Sequence, residues 1–163
     1  MMRFSAMIAS VLVAACSSAP SIDSTGGAPA HIGRPEPGVS DVGRRISDHA
    51  VAMIGVPYRY GGDQPETGFD CSGLVYWSHS MSGVPVPRTS QDQFRSARKI
   101  ALTEAGPGDI LFFQDQEKLS HVGIYIGDRM FVHAPASGRT VSLASIDSPY
   151  YQRNLVAVGR LLR

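Results

Sequence analysis

The sequence predicts an α+β domain in which N-terminal helices pack on an antiparallel β-sheet. Three observations lead there. Apolar residues recur at helical spacing between residues 42 and 81. At GPGDILFF, residues 106–113, the pattern changes, and the apolar residues then gather in short strand-like runs. Glycine and proline mark the joints between runs, as turns require.

The first element is MMRFSAMIASVLVAAC: one cation at Arg3, an apolar run from Phe4 to Val13, then Ala14 and Ala15. That is the build of an export signal, and the run is shorter than the ~20 residues a membrane span needs. Val13-Ala14-Ala15-Cys16 resembles the lipobox of bacterial lipoproteins. The resemblance implies removal of residues 1–15 as a signal peptide and lipidation of Cys16 on its sulfur and amine. Ser17, not Asp, follows the cysteine. By analogy with Gram-negative sorting, this favours the periplasmic face of the outer membrane. Residues 16–40 read as a flexible tether, because 16 of the 24 residues after Cys16 are Ser, Ala, Pro or Gly. Such a chain spans about 25–30 Å on average and about 80 Å at full stretch. His31 falls in it and has no expected role.

The folded domain is expected over residues 41–163. Val42, Ile46, Ala50, Met53 and Ile54 predict a first helix, ended by Gly55 and Pro57. PYRYGGDQPETG reads as loop. Cys71 to Met81 predicts a second helix, with Asp70 as N-cap, Leu74, Val75 and Ser78 on one face and Gly83 as the stop. Ser90-x-x-Gln93 reads as a capping box opening a short helix to about Arg98. Strands are expected at Ile110–Phe113, Val122–Ile126, Met130–His133 and Leu155–Leu161. On these patterns Tyr76 and Trp77 are packing residues, and His49 and His79 are solvated helix residues. Arg88 in PRTS should pair with an acid that the sequence does not identify.

Charge and cysteine content narrow the function. The formal net charge is +1, and it becomes 0 once Arg3 leaves with the signal. No basic patch stands out, so nucleic acid is not an expected partner. The chain has 2 cysteines. If Cys16 carries lipid, Cys71 is a lone thiol in an oxidising compartment, where unpaired thiols are a liability. The surrounding GFDCSGL is too polar for a buried hydrophobe. There is no CxxC pair to suggest zinc. A thiol kept at a helix start suggests a nucleophile, since that end carries partial positive charge and free amides. A thiolate then needs a partner for its proton. His121, in LSHVGIYIG, lies on the strand face opposite Val122, Ile124 and Ile126, on the non-core side. His133 ends the next strand. A two-residue loop at Asp128-Arg129 would pair Ile124 with His133 and put the two imidazoles on opposite faces. An odd-numbered loop or a β-bulge would pair Gly123 with His133 and bring them to one face. The second arrangement is expected if the histidines act together. Asp70 opposes a thiolate by its like charge, so an ion pair of Cys71 with a protonated His121 is expected to dominate.

GVPYRYGG, GFDCSGLV, VPRTSQDQF, GPGDILFF, SHVGIYIG and FVHAP occur in one order over about residues 44 to 162. In these motifs the chain resembles the NlpC family of papain-like cell-wall cysteine endopeptidases, most closely its small lipoprotein members of the MepS kind. The resemblance implies a papain-like α+β fold, with Cys71 as nucleophile, His121 as general base and His133 as the residue orienting it. It implies Tyr58 as a hydroxyl near the oxyanion, and Asp70 and Ser72 as positions that contact substrate peptide. Asp70 serves equally as a plain N-cap. The implied substrate is the peptidoglycan stem peptide, cut at the D-alanyl–diaminopimelate cross-link or at the γ-D-glutamyl–diaminopimelate bond. The lack of an added wall-binding segment favours the cross-link. No metal or cofactor is implied, and a monomer is expected. A peptide-binding protein without activity, or a related thiol acyltransferase, would share these motifs but fits the intact Cys-His-His pattern and the lipoprotein build less well.

Overall fold

The computed structural model describes residues 41–115 and 118–161; the signal peptide, Cys16 and the tether lie outside them. Among the described residues the order is α1 (Asp41–Ala52), β1 (Asp63–Gln64), β2 (Gly68–Phe69), α2 (Cys71–Met81), α3 (Ser90–Ser96), β3 (Arg98–Ile100) and a 3-10 turn, Leu102–Glu104. Then come β4 (Ile110–Asp115), β5 (Lys118–Gly127), β6 (Met130–His133), β7 (Ser142–Ser145), α4 (Pro149–Asn154) and β8 (Leu155–Arg160). Strands β3 to β8 form one antiparallel sheet in the order β3-β8-β4-β5-β6-β7, and β1 and β2 make a separate ribbon.

Both faces of the central strands are covered. Ile110, Phe112, Val122, Ile124 and Val132 meet Ile46 and Ala50 of α1 and Leu74 and Val75 of α2. Leu111, Phe113, Tyr125, Phe131, Ile146 and Val158 form a second, smaller core, against which Tyr151 of α4 packs. This explains the unbroken apolar run of β4: a strand buried on both sides has no polar alternation. It also corrects the expectation that the face bearing His121, Gly123 and Tyr125 lies outside the core. Tyr125 is buried there, and each large side chain so buried contributes about 1.5–3 kcal/mol.

Other expectations shift in detail. The first helix stops at Ala52 and leaves Ile54 exposed. The loop after Pro57 contains the β1–β2 ribbon, and the strands β3 and β7 and the helix α4 were not foreseen. The third helix is capped one residue earlier than read: Thr89 Oγ1 accepts from the Asp92 amide, and Arg98 already belongs to β3. Gln93, read as part of the cap, is fully buried, and its Nε2 donates to the Ser72 and Pro87 carbonyls at 3.0 and 2.9 Å. His79 is not solvated but fully buried, with Nδ1 bonded to the Val75 carbonyl at 2.9 Å. His49 is half-buried beside Trp77 and bonds Ser82 Oγ at 3.1 Å.

The β5–β6 hairpin resolves the register question. Asp128 and Arg129 both have positive φ, 49° and 59°, as a tight two-residue turn requires. Alone this turn would separate the histidines. A register shift between Tyr125 and Gly127 leaves Ile126 unpaired, so Tyr125 opposes Phe131 and Ile124 opposes Val132. Continuing that register puts His133 opposite Gly123 and on the same face as His121. Gly123 has to be glycine, because a Cβ there would come within 2.5 Å of the Phe131 ring.

Candidate active site

The site begins at the N-terminus of α2. Asp70 has extended backbone, φ −87° and ψ 175°, and its Oδ1 accepts from the Gly73 amide at 2.6 Å, as read for the N-cap. The same carboxylate does more. Oδ2 accepts from the Gly61 amide at 2.9 Å, and Arg88 grips both oxygens at 3.0 and 2.9 Å. Arg88 thus finds the acid the sequence left open, and it also donates to the Gly62 carbonyl at 3.1 Å and reaches Asp63 at 3.4 Å. Burial works to raise Asp70, but the Arg88 guanidinium and the Gly73 amide together outweigh it and hold the carboxyl below its usual range. Gly73 admits no side chain, because a Cβ would overlap the Gly62 carbonyl beside Arg88.

Ser72 belongs to this network. Its hydroxyl donates to Asp70 Oδ1 at 3.1 Å and accepts from Arg88 Nη1 at 3.0 Å, so it is tied to the helix start while lining the cleft.

Cys71 stands on the first turn, half-buried and reduced. It lines an open cleft of about 520 Å³ shared with Tyr58, Tyr60, Asp70, Arg88 and Ser120. Burial pushes its thiol up, the backbone N–H of Val122 acts against this, Asp70 raises it further, and the amides of Ser72 and Cys71 oppose that rise. The net effect is a thiol raised above its ordinary value, surrounded by amides suited to a developing negative charge. Tyr58 lies close to Cys71 and Asp70; burial first, then the influence of those two residues, raises its hydroxyl above the ordinary phenol value. It is therefore a donor at neutral pH.

The Val122 contact shows how the sheet meets the helix: β5 runs past the sulfur, and the residue before Val122 is His121. His121 Nε2 lies 2.7 Å from His133 Nδ1, with the rings 5.0 Å apart and nearly perpendicular. That bond commits Nε2 of His121 to its neighbour. Burial lowers His121 to about 3, with His133 adding to the effect, and burial followed by the Arg139 charge lowers His133 to about 4. The resting state favoured here is a neutral thiol and a neutral imidazole. Both directions run against the expected thiolate–imidazolium pair, and burial is the largest cause at each group.

Sequence reading missed Tyr151. Its hydroxyl lies 3.4 and 3.5 Å from the two nitrogens of His133, and its ring joins Phe113 and Phe131 around the histidine pair. Nothing local marks it; it arrives from α4 through the return of the chain into β8. Among the described residues no group of three or more His, Cys, Asp or Glu could hold a metal ion.

Known proteins share this arrangement of elements. The model of the NlpC/P60 family matches residues 55–160. The bifunctional muramidase/DL-endopeptidase CwlT of Bacillus subtilis is 38% identical over 78% of this chain and 39% of its own length. The murein DD-endopeptidase MepH of Escherichia coli is 39% identical over 69% of this chain and 43% of its own length. This chain therefore spans less than half the length of either relative. Among solved structures, a lipoprotein-like NLP/P60 family protein of Staphylococcus aureus superposes with a TM-score of 0.69 at 33% identity, covering 80% of this chain and 45% of that one. The family match covers the cysteine helix, both histidine strands and the last strand, β8, and on that ground the chain belongs to the NlpC/P60 family.

Proposed function

We propose that this protein is a cysteine endopeptidase that hydrolyses peptidoglycan stem-peptide amide bonds beside diaminopimelate. The observation that carries the reading is the meeting of α2 with β5. One strand sets the Val122 amide against the Cys71 sulfur and, in the adjacent residue, offers an imidazole braced by His133. Relatives named as a muramidase/DL-endopeptidase and a murein DD-endopeptidase support the substrate class.

In this mechanism His121 Nδ1 takes the proton of Cys71 as the sulfur attacks the amide carbon. The carbonyl oxygen, now negative, is held by the amides of Cys71 and Ser72 and by the Tyr58 hydroxyl. His133 accepts the Nε2–H of His121 and stabilises the imidazolium. The C–N bond breaks as His121 returns the proton to the leaving amine, giving a thioester. Water, deprotonated by His121, attacks the thioester, and the thiol is regenerated with its proton. Asp70 and Ser72 form the wall along which the peptide lies.

Two bonds fit this chemistry, the D-alanyl–diaminopimelate cross-link and the γ-D-glutamyl–diaminopimelate bond. Relatives of nearly equal similarity are named for DD and for DL bonds. Digestion of purified muropeptides, read by mass spectrometry, decides between them. Wild type should release one product class and Cys71→Ser none; identical products from both would refute the assignment. The N-terminal pattern supports a lipid on Cys16 and a place on the periplasmic face of the outer membrane. Labelling with an alkynyl fatty acid should mark wild type and not Cys16→Ser.

A further inference from the structure

Arg139 stands in the loop between β6 and β7, and two features fix where it points. Its amide donates to the Ala136 carbonyl at 3.2 Å, and Gly138, the third residue of that turn, has φ +80°, as a type II turn requires. The loop is then tied to the stretch ahead of the β1–β2 ribbon. The Tyr58 amide donates to the Arg139 carbonyl and the Val141 amide to the Val56 carbonyl, both at 2.8 Å, with Pro57 opposite Thr140. That register sets Arg139 directly across from Tyr58. Residues opposed in an antiparallel pair project to one face, and Tyr58 lines the cleft. The Arg139 charge acts at the histidine end, on His133 and on Tyr151. The side chain is exposed, and no acid among the described residues pairs with it: the ion pairs there join Arg88, Arg95, Arg129 and Arg160 to their own partners. Arg88, on the opposite wall, is already taken up by Asp70, Ser72 and Gly62.

We propose that Arg139 is a specificity-determining residue: it pairs with a free carboxylate on the carbon that bears the leaving amine, and so selects the D-alanyl–diaminopimelate cross-link. The inference rests on the catalytic reading given above and adds the residue that chooses the bond. In that reading His121, braced by His133, returns a proton to the leaving nitrogen, so this nitrogen lies at the histidine end. A carboxyl group on the adjacent carbon stands about 2.5 Å from it by standard bond lengths and angles. In the cross-link, diaminopimelate leaves through an amine whose carbon carries such a carboxylate, free and charged. In the γ-D-glutamyl bond of a tetrapeptide stem, the matching carboxyl is consumed in the amide to D-alanine and offers arginine no charge. A guanidinium takes a carboxylate through two parallel N–H···O bonds, a geometry an amide cannot reproduce. Unpaired, the Arg139 charge opposes positive charge on the histidine pair; a bound carboxylate cancels that opposition. Arg139 makes and breaks no covalent bond.

Two cross-linked muropeptide dimers that differ only in this carboxyl, free in one and amidated in the other, test the idea. In wild type, kcat/KM should be at least about tenfold higher with the free carboxylate, the low end for a hydrogen bond to a charged group. Arg139→Gln should bring the two substrates to within about twofold of each other, and Arg139→Lys, which keeps the charge but not the fork, should restore part of the preference. Equal rates in wild type overturn the proposal. So does a preference that survives in Arg139→Gln, or a wild type that cuts the γ-D-glutamyl bond alone. A loss in Arg139→Gln that falls equally on both substrates overturns it too, because the side chain would then only support the fold. Cys71→Ser is measured alongside. If it retains turnover, the catalytic reading fails and this one with it; if it is inactive and wild type shows no preference, only the role of Arg139 fails.

Discussion

The two ends of the proposed catalytic machinery are built in opposite ways. At the cysteine end, the helix start is a lattice of charge: Asp70 takes hydrogen bonds from two amides, a hydroxyl and a guanidinium. At the histidine end, the imidazoles sit among Phe113, Phe131 and Tyr151, and Arg139, the charge that acts on His133, lowers its proton affinity. One end is fixed by satisfied polar bonds, the other by packing. A polar lattice holds geometry over a wide pH range but tolerates no missing member. A packed pair tolerates lost neighbours but resists gaining charge. The proposed nucleophile is therefore placed by electrostatics, while the proposed base is kept neutral chiefly by burial and would gain its charge only as the thiol proton arrives.

The largest test of this contrast is removal of the reacting groups. Cys71→Ser should cost at least about 10³-fold in turnover, and His121→Ala about 10²–10⁴-fold. His133→Ala should cost less than His121→Ala, about 10²-fold, since it acts through its neighbour. All three should keep the far-ultraviolet circular dichroism of the wild type. Equal losses at His121 and His133 would mean that the two rings share the proton as one unit.

Acid should act first on the buried histidines, the His121–His133 pair and His79 of α2. His79 and His133 are lowered to about 4 and His121 to about 3, from an ordinary value of 6.5. Below pH 6.5 the unfolded chain takes up these protons while the folded chain does not. Stability is thus fully present above 6.5 and declines as pH falls toward 4. The slope should approach about 1.4 kcal/mol per pH unit for each histidine involved. Asp70, also lowered, has the same sign but acts below 3.8, after the histidines have given way. Urea unfolding between pH 7.5 and 4.5 measures this. His79→Gln should make the dependence shallower with activity at neutral pH retained, and a flat profile in wild type would refute the neutral-imidazole account.

The smaller effect lies at the other end. Arg88→Met leaves Asp70 without its charged partner, at a site where the two side chains are 30% and 13% exposed. The loss should be about 2 kcal/mol of stability, reduced when Asp70→Asn is added, because the two positions share one interaction. The pH dependence of unfolding between 6.5 and 4 should keep its shape in both variants, which separates the two ends.

What could be read from the sequence divides along the same line. The helix start at Cys71 was legible because capping is local: Asp70, three residues before Gly73, decides it. The shared face of His121 and His133 was legible as a condition, since strand alternation is strict, and the unpaired Ile126 fulfils it. The partners of Arg88 were not legible, because Asp63, Gly62 and Asp70 meet it only after the ribbon folds back. Gln93 was misread because a glutamine near a helix start suggests a cap, whereas its amide satisfies two interior carbonyls. His79 carries a signal in its position, four residues after Val75 on the buried stripe of α2, that its polarity obscures. Tyr151 had no such signal, since its meaning depends on a contact with residues far earlier in the chain.

His121 and Val122 are consecutive, and their strand runs between β4 and β6 near the middle of the sheet. Slipping that strand by one position would exchange ring for hydrocarbon and turn the amide away from the sulfur. The proposed chemistry therefore has no half-assembled version that works weakly. A chain newly released from a ribosome carries the thiol but not the means to use it, so the proposed hydrolytic power would be withheld until folding is finished.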